Sequence, residues 1–195
     1  GSHSPEDYQQ LMQLESDKCE VIPLEKNRGY VGGMNYGLEL AHDRGFDLFL
    51  IMNNDAIIAP DALSKLVSTA HKYDYSCIVT GKVYHYDRPN VLQFIGYKIT
   101  SKKNLRMRRL IHDEEDHGQW DKEMELDMTD DIFWLMPEKV YDQVGGYSPF
   151  FWFNAEQADL ALRAIEAGNK LIYTPEARIW HKGSLTIGGR ADNPR

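Results

Sequence analysis

Apolar and polar positions along this chain fall into blocks whose period switches between that of a helix and that of a strand. Ser4-Pro5-Glu6-Asp7 puts a capping Ser, a first-turn Pro and two acids in a row, and predicts a helix running to about Ser16. Cys19–Leu24 predicts a short strand. Asn27-Arg28-Gly29-Tyr30-Val31-Gly32-Gly33 predicts a glycine-rich loop, followed by a helix from Met34 to His42 that stops near Gly45. The apolar run Leu48–Met52 suits a buried strand and is too short to span a membrane. A helix from Asp61 to about Lys72 carries Ala62, Leu63, Leu66 and Val67 on one face. Cys77–Tyr84 and Val91–Ile99 predict further strands. Beyond a polar middle, Ile132–Met136 is a short apolar run, and Pro137 opens a helix closed by Gly145-Gly146. Glu156–Ala167 predicts a helix stopped by Gly168, Leu171–Tyr173 and Ala177–Trp180 predict short strands, and a glycine-rich tail starts at His181. Strands alternating with helices imply an α/β fold with a largely parallel sheet.

The chain has 195 residues, 42% of them hydrophobic, which suits one domain with a real core. Residues 1–3 (Gly-Ser-His) read as a tag scar, residues 4–189 as a single domain and residues 190–195 as a tail. The formal charge of −8 argues against nucleic acid as a partner, because phosphate-backbone binding needs a basic face. Cys19 and Cys77 both lie in apolar surroundings, which predicts two buried, reduced thiols and a cytoplasmic setting. Charge is segregated in the middle: six cations lie between Lys98 and Arg109, and eight acids between Asp113 and Asp127. The expectation is a mobile, solvated excursion whose halves neutralise each other. A sharper alternative gives the basic half an anionic acceptor or the inner face of a membrane to meet.

The run from Leu48 ends in Asn53-Asn54-Asp55, and ligands of an open α/β sheet bind outside the carboxyl ends of its strands. Asp55 could hold Mg2+ or Mn2+, and the ion a diphosphate; an Asx turn is the plainer alternative. Sugar transfer from a nucleotide donor needs charge stabilisation for the leaving diphosphate, a base for the acceptor hydroxyl and planar walls for the ring. Asp55 and His181, each at a strand end, are candidates for the first need. Glu156 and Asp159, at a helix start, are candidates for the second; Asp159 also stands four before Arg163, where a structural ion pair forms. Trp152, Phe153 and Trp180 are candidate walls, though Phe150–Phe153 also suits a core or an interface.

Asn27–Gly37, Asn53-Asn54-Asp55, Gly145-Gly146-Tyr147, Glu156-Gln157-Ala158-Asp159-Leu160 and Trp180-His181-Lys182-Gly183-Ser184 follow the order and spacing found in family 2 glycosyltransferases. The chain most resembles the bacterial rhamnosyltransferase-like branch. That resemblance implies a GT-A fold, Rossmann-like, with a mixed, mostly parallel sheet flanked by helices. It also implies inverting, metal-dependent transfer from a nucleotide-sugar to a saccharide or lipid-linked saccharide. Under it Asp55 and His181 become the metal and diphosphate ligands. Asn53 and Asn54 flank the ribose and phosphates, and Asn27, Gly32, Gly33 and Asn35 border the donor site. Peripheral membrane contact and a homodimer are further expectations.

Two departures qualify the resemblance. The family's catalytic Glu-Asp is Glu156-Gln157 here, and a neutral amide cannot act as a base, which leaves Glu156 as its substitute. Asp131 likewise stands where the family places a small residue. The family also begins with a strand, a helix and a second strand that hold the base. About forty such residues have no counterpart before Ser4, an estimate from βαβ dimensions. The expectation is weak or no nucleotide binding by this polypeptide alone, and an exposed sheet edge that self-association would cover. A catalytically degenerate binding or assembly module therefore stands beside the enzyme. A Rossmann dinucleotide enzyme fits less well, since its glycine fingerprint should lead to an acid about twenty residues on.

Overall fold

A computed structural model describes residues 5–101, 103, 106–152 and 155–183. Ser4, Phe153 and Ser184 fall outside the described residues. Helix α1 (Pro5–Met12) is followed by α2 (Gly29–Asp43), β1 (Leu48–Met52), β2 (Ala56–Ile58), α3 (Ala62–Lys72) and β3 (Cys77–His85). Next come β4 (Val91–Phe94), β5 (Tyr97–Ser101), β6 (Arg106–Arg109), β7 (Glu114–Glu115), β8 (Met124–Leu126) and β9 (Phe133–Pro137). Helices α4 (Glu138–Val144) and α5 (Glu156–Glu166) precede the long β10 (Lys170–His181).

The main sheet has the order β1-β9-β3-β10-β2. β3 and β10 pair in parallel, while β9 lies antiparallel between β1 and β3. β1, β3 and β10 therefore share one direction, and the sheet is mixed. β3 is buried from Cys77 to Tyr84, as a central strand must be. Successive residues alternate between two cores. Ile78, Trp134, Met136, Leu171 and Tyr173 face α2, α4 and α5 through Val31, Leu38, Val140, Leu160 and Ala164. Val79, Phe133, Leu135 and Ile172 face Ala62, Leu66 and Ala70 of α3.

Local departures from the sequence pattern have physical causes. The glycines of the expected loop form the first turn of α2, because Val31 and Leu38 repeat at helical spacing and bury against the core. Gly29 starts that turn at φ +69°, roofed by the Trp152 indole, and Asn27 accepts its N–H through Oδ1 at 2.8 Å. The first helix stops at Met12, not near Ser16. Residues 19–24 form no strand beyond an isolated Ser16–Cys19 bridge, since only two strongly apolar residues precede Pro23. Cys19 is exposed, which removes one of the two buried thiols expected; burial does push the Cys77 thiol up to about 12. The two short strands expected near the end are one, β10, whose register shifts between Tyr173 and Arg178 around Pro175. Gly81 sits opposite that shift, where an added Cβ would lie 2.3 Å from the Ala177 carbonyl oxygen.

The charged middle forms short strands, while many of its charged side chains stay exposed, as a solvated excursion requires. β5 and β6 form a separate hairpin, while β7 and β8 join the main sheet. Its acids mostly pair with cations elsewhere, and Lys98–Asp127 joins the two halves. Lys82, with 4% side-chain exposure on β3, lies 2.6 Å from Asp116 and 2.5 Å from Asp121. His85 and Arg88 meet Asp113, Lys72 meets Glu123, and Lys170 meets Glu125.

Candidate active site

β1 delivers Asn53-Asn54-Asp55 to the sheet end at which β3 and β10 also finish. β2 then pairs with the last residues of β10, setting Ala56 opposite His181 and so Asp55 beside it. Lys182 N–H closes the junction on the Asp55 carbonyl at 2.9 Å. The result is close convergence: Asp55 Oδ1 lies 3.0 Å from His181 Nε2, and Asn53 Nδ2 lies 3.2 Å from the same nitrogen. The His181 side chain is only 8% exposed.

Gln93 of β4 decides which imidazole nitrogen carries the proton. His181 Nδ1 is 2.7 Å from Gln93 Oε1, an acceptor, so Nδ1–H donates there. Burial lowers the His181 pKa against the pull of Asp55, which favours the neutral ring. The neutral ring then aims its Nε2 lone pair at Asn53 Nδ2–H and at a carboxylate oxygen 3.0 Å away. Lone pair and carboxylate repel unless they share a cation. A divalent ion with bonds of about 2.1 Å gives adjacent ligand atoms roughly this spacing. One hard oxygen and one imidazole nitrogen suit Mg2+ or Mn2+.

A second group of acids borders this pair. Asn53 N–H donates to the Ile132 carbonyl at 3.1 Å, which brings the loop before β9 against the end of β1. In that loop Asp131 is 9% exposed, and its Oδ2 accepts both Tyr30 O–H at 2.7 Å and Tyr147 O–H at 2.6 Å. Asp130 accepts Tyr97 O–H at 3.2 Å, and the Gln157 side chain approaches it closely enough to favour its charged form. Burial raises the carboxyl pKa of Asp130, Asp131 and Glu156 alike, and the Asp131 charge adds to the rise at Asp130 and Glu156. Glu156 is 3% exposed, with Oε2 unpartnered; Gln157 Oε1 is also buried without a partner.

The other sequence candidates are placed differently. Asp159 pairs with Arg163 at 2.7 Å, and Arg163 also donates to the carbonyls of Val144 and Gly146, so this acid braces the turn after α4. Both functions of the Asn35 amide are spent on the backbone of Tyr147, each at 2.8 Å. Asn27 Oδ1 accepts the Gly29 N–H in a local turn before α2, Gly32 packs on Arg28, and Gly33 faces open space. Asn54 is exposed beside the pair. Trp180 stacks on Tyr84 and donates Nε1–H to the Pro89 carbonyl, so it is packed and offers no free wall. Of the cluster expected in a core or an interface, Phe151 packs against the core, while Trp152 and Phe150 are 68% and 87% exposed and stay outside it. Sequence reasoning missed Gln93, Tyr97 and Arg109, neutral or surface-type residues whose importance arises only from cross-strand neighbours. His42, Glu138 and Asp142 also converge, near the opposite ends of β1 and β9, as exposed ion pairs.

The glycosyl transferase family 2 profile matches residues 1–127, about two thirds of the chain. The chain belongs to that family. Among solved structures the family 2 domain is similar to GalNAc-T7, described as a crystal structure with UDP, GalNAc and Mn2+, at a TM-score of 0.71 and 13% identity. The match covers 97% of this chain and 36% of that one, so the domain spans about a third of its neighbour's length. At that identity the likeness establishes the fold, which is GT-A. No curated protein matches.

Proposed function

We propose that this family 2 domain moves a sugar from a nucleotide-sugar donor to a hydroxyl of a saccharide or lipid-linked saccharide, by direct displacement that inverts the anomeric carbon. One observation carries the proposal: Asp55 Oδ1 and His181 Nε2 converge to 3.0 Å at the sheet end. Asp55 Oδ1 and His181 Nε2 would hold Mg2+ or Mn2+, and the ion when bound offsets charge growing on the departing diphosphate. Asn53 braces the histidine, and Asn54 stands exposed for the donor. The order of motifs supports the rhamnosyltransferase-like branch and inversion. Exposed Lys103, Arg106 and Arg108 beside β5–β6 support contact with an anionic surface at the inner face of a membrane. Among the described residues no helix is long and apolar enough to cross one.

The test is donor hydrolysis by the purified chain on a panel of UDP-glucose, UDP-N-acetylglucosamine, GDP-mannose and dTDP-rhamnose, with and without Mn2+. Mn2+-dependent release that falls by about 10²-fold or more in Asp55→Ala supports the proposal. Release that is indifferent to both changes defeats it. A folded wild type that binds UDP with Mn2+ yet hydrolyses nothing favours the degenerate module, the reading that Gln157 supports.

A further inference from the structure

We propose that Asp130 is the general base of this chain. The inference rests on the glycosyl-transfer proposal above, and its first support is elimination among the acids at the sheet end. Asp55 faces His181, Asp131 is occupied by two tyrosine hydroxyls, and Asp159 is held by Arg163. Glu156 remains, but at 3% exposure it is less accessible from solvent than Asp130. Asp130 is intermediate in exposure and holds one long hydrogen bond, the 3.2 Å contact from Tyr97.

Its location fits on two independent paths. Asp130 is two residues from Ile132, whose carbonyl receives the Asn53 N–H beside His181. The Arg109 charge also favours the ionised form of Asp130, and Arg109 donates to the Gln93 carbonyl, while Gln93 Oε1 accepts a hydrogen bond from His181 Nδ1–H. Gln157 adds a polar neighbour: its side chain favours the charged form of Asp130, while its Oε1 is buried without a partner. Every charged or hydrogen-bonding neighbour of Asp130 named here bears on its titration: Tyr97 on β5, Arg109 on β6, Asp131 in its own loop and Gln157 on α5. Burial and the Asp131 charge outweigh the other three and raise its carboxyl pKa, the direction that suits a base.

The step balances simply. The acceptor O–H proton passes to an Asp130 carboxylate oxygen as the acceptor oxygen bonds to the anomeric carbon. The bond from that carbon to the donor phosphate oxygen breaks, and its electron pair leaves with the nucleoside diphosphate.

The experiment compares wild type, Asp55→Ala, Asp130→Asn, Asp130→Glu and Glu156→Gln by hydrolysis of the same four donors with Mn2+, and by UDP–Mn2+ titration calorimetry as a check on fold and donor site. Asp130→Asn should lower turnover by 10²- to 10⁴-fold with UDP affinity kept, and should erase the limb in which rate rises with pH. Asp130→Glu should restore part of the rate with a displaced limb. Turnover within threefold of wild type in Asp130→Asn overturns the inference, as does loss of the pH limb in Glu156→Gln in its place. Loss of UDP binding in both Asp130 variants assigns the residue to structure and overturns it too. An inactive wild type, or an active Asp55→Ala, overturns the parent proposal first.

Discussion

Replacing Gln93 by Leu removes the one side-chain acceptor that fixes the His181 tautomer and leaves the rest of the site in place. The Arg109 contact to residue 93 goes to the backbone carbonyl and survives the change. In the wild type the 2.7 Å bond from Nδ1–H commits Nε2 to be the lone-pair nitrogen beside Asp55. Without it, the enclosed ring gains by placing its proton on Nε2, where Asp55 Oδ1 at 3.0 Å accepts it. A cation must then displace that proton and reorder the ring. Loss of an outer-shell partner of this kind costs about 10- to 100-fold in metal affinity, or roughly 1.4–2.7 kcal/mol at 1.4 kcal/mol per decade. Mn2+ titration followed by electron paramagnetic resonance, which counts free ion directly, measures the loss without any substrate. The wild-type affinity should also fall as pH drops through the His181 pKa, which burial holds below its usual 6.5, and should be flat above it. Equal Mn2+ affinity in Gln93→Leu and wild type refutes the tautomer argument. Weak binding in both refutes the Asp55–His181 pair as a metal site.

Two further outcomes test the scaffold. Lys82→Met strands Asp116, whose side chain is 11% exposed, without its cation. Because the second partner, Asp121, is 63% exposed, the cost should sit near the low end for a broken buried pair, about 3 kcal/mol by urea unfolding. Adding Asp116→Asn should return most of it. Burial alone would raise the Asp116 carboxyl, yet Lys82 and Tyr84 hold it below its ordinary value. Its contribution to wild-type stability is therefore full above its unfolded pKa of 3.8 and lost as pH falls through the lower folded value. Gly81→Ala forces a methyl against the Ala177 carbonyl in the middle of the parallel pair, and circular dichroism should show a lowered melting temperature or no folded protein.

Much of the framework is legible because its signals are local. The alternating cores of β9 and β10 and the inward residues Phe49, Ile51, Ala62 and Leu66 read directly as buried, whereas Leu50, Met52 and Leu63 face solvent, against the expectation of a buried β1 run and of Leu63 on the packed face of α3. The start of α2 is illegible by propensity, since each interior glycine costs a helix about 1 kcal/mol relative to Ala. The packing of Val31 and Leu38 outweighs that cost, and only the tertiary core reveals it. The acids of residues 113–127 invite pairing with the nearest cations in sequence, whereas β7 and β8 pair into the main sheet and carry these acids to Lys82, His85 and Lys170. In the site, Asp55 and His181 announce themselves as metal-type residues at strand ends. Gln93 has no chemistry to advertise until β4 sets it against the imidazole.

Strand direction explains why the site holds more acids than a purely parallel sheet would give it. In an open parallel sheet only the carboxyl ends of strands border the ligand crevice. β1 and β10 obey that rule and bring Asp55 and His181 to that end. β9 runs the other way, so the segment entering it, not the one leaving it, arrives at the same end. That segment carries Asp130 and Asp131, and its Ile132 carbonyl is fastened to Asn53. A proton acceptor can therefore reach the crevice from the β8–β9 loop even though Gln157, at the start of α5, has no charge to offer. Asp131 fixes the loop by taking the hydroxyls of Tyr30 from α2 and Tyr147 from the turn after α4. With Asp131 committed to that structural task, Asp130 is left in a partly desolvated position, where its raised pKa can serve the proposed proton transfer.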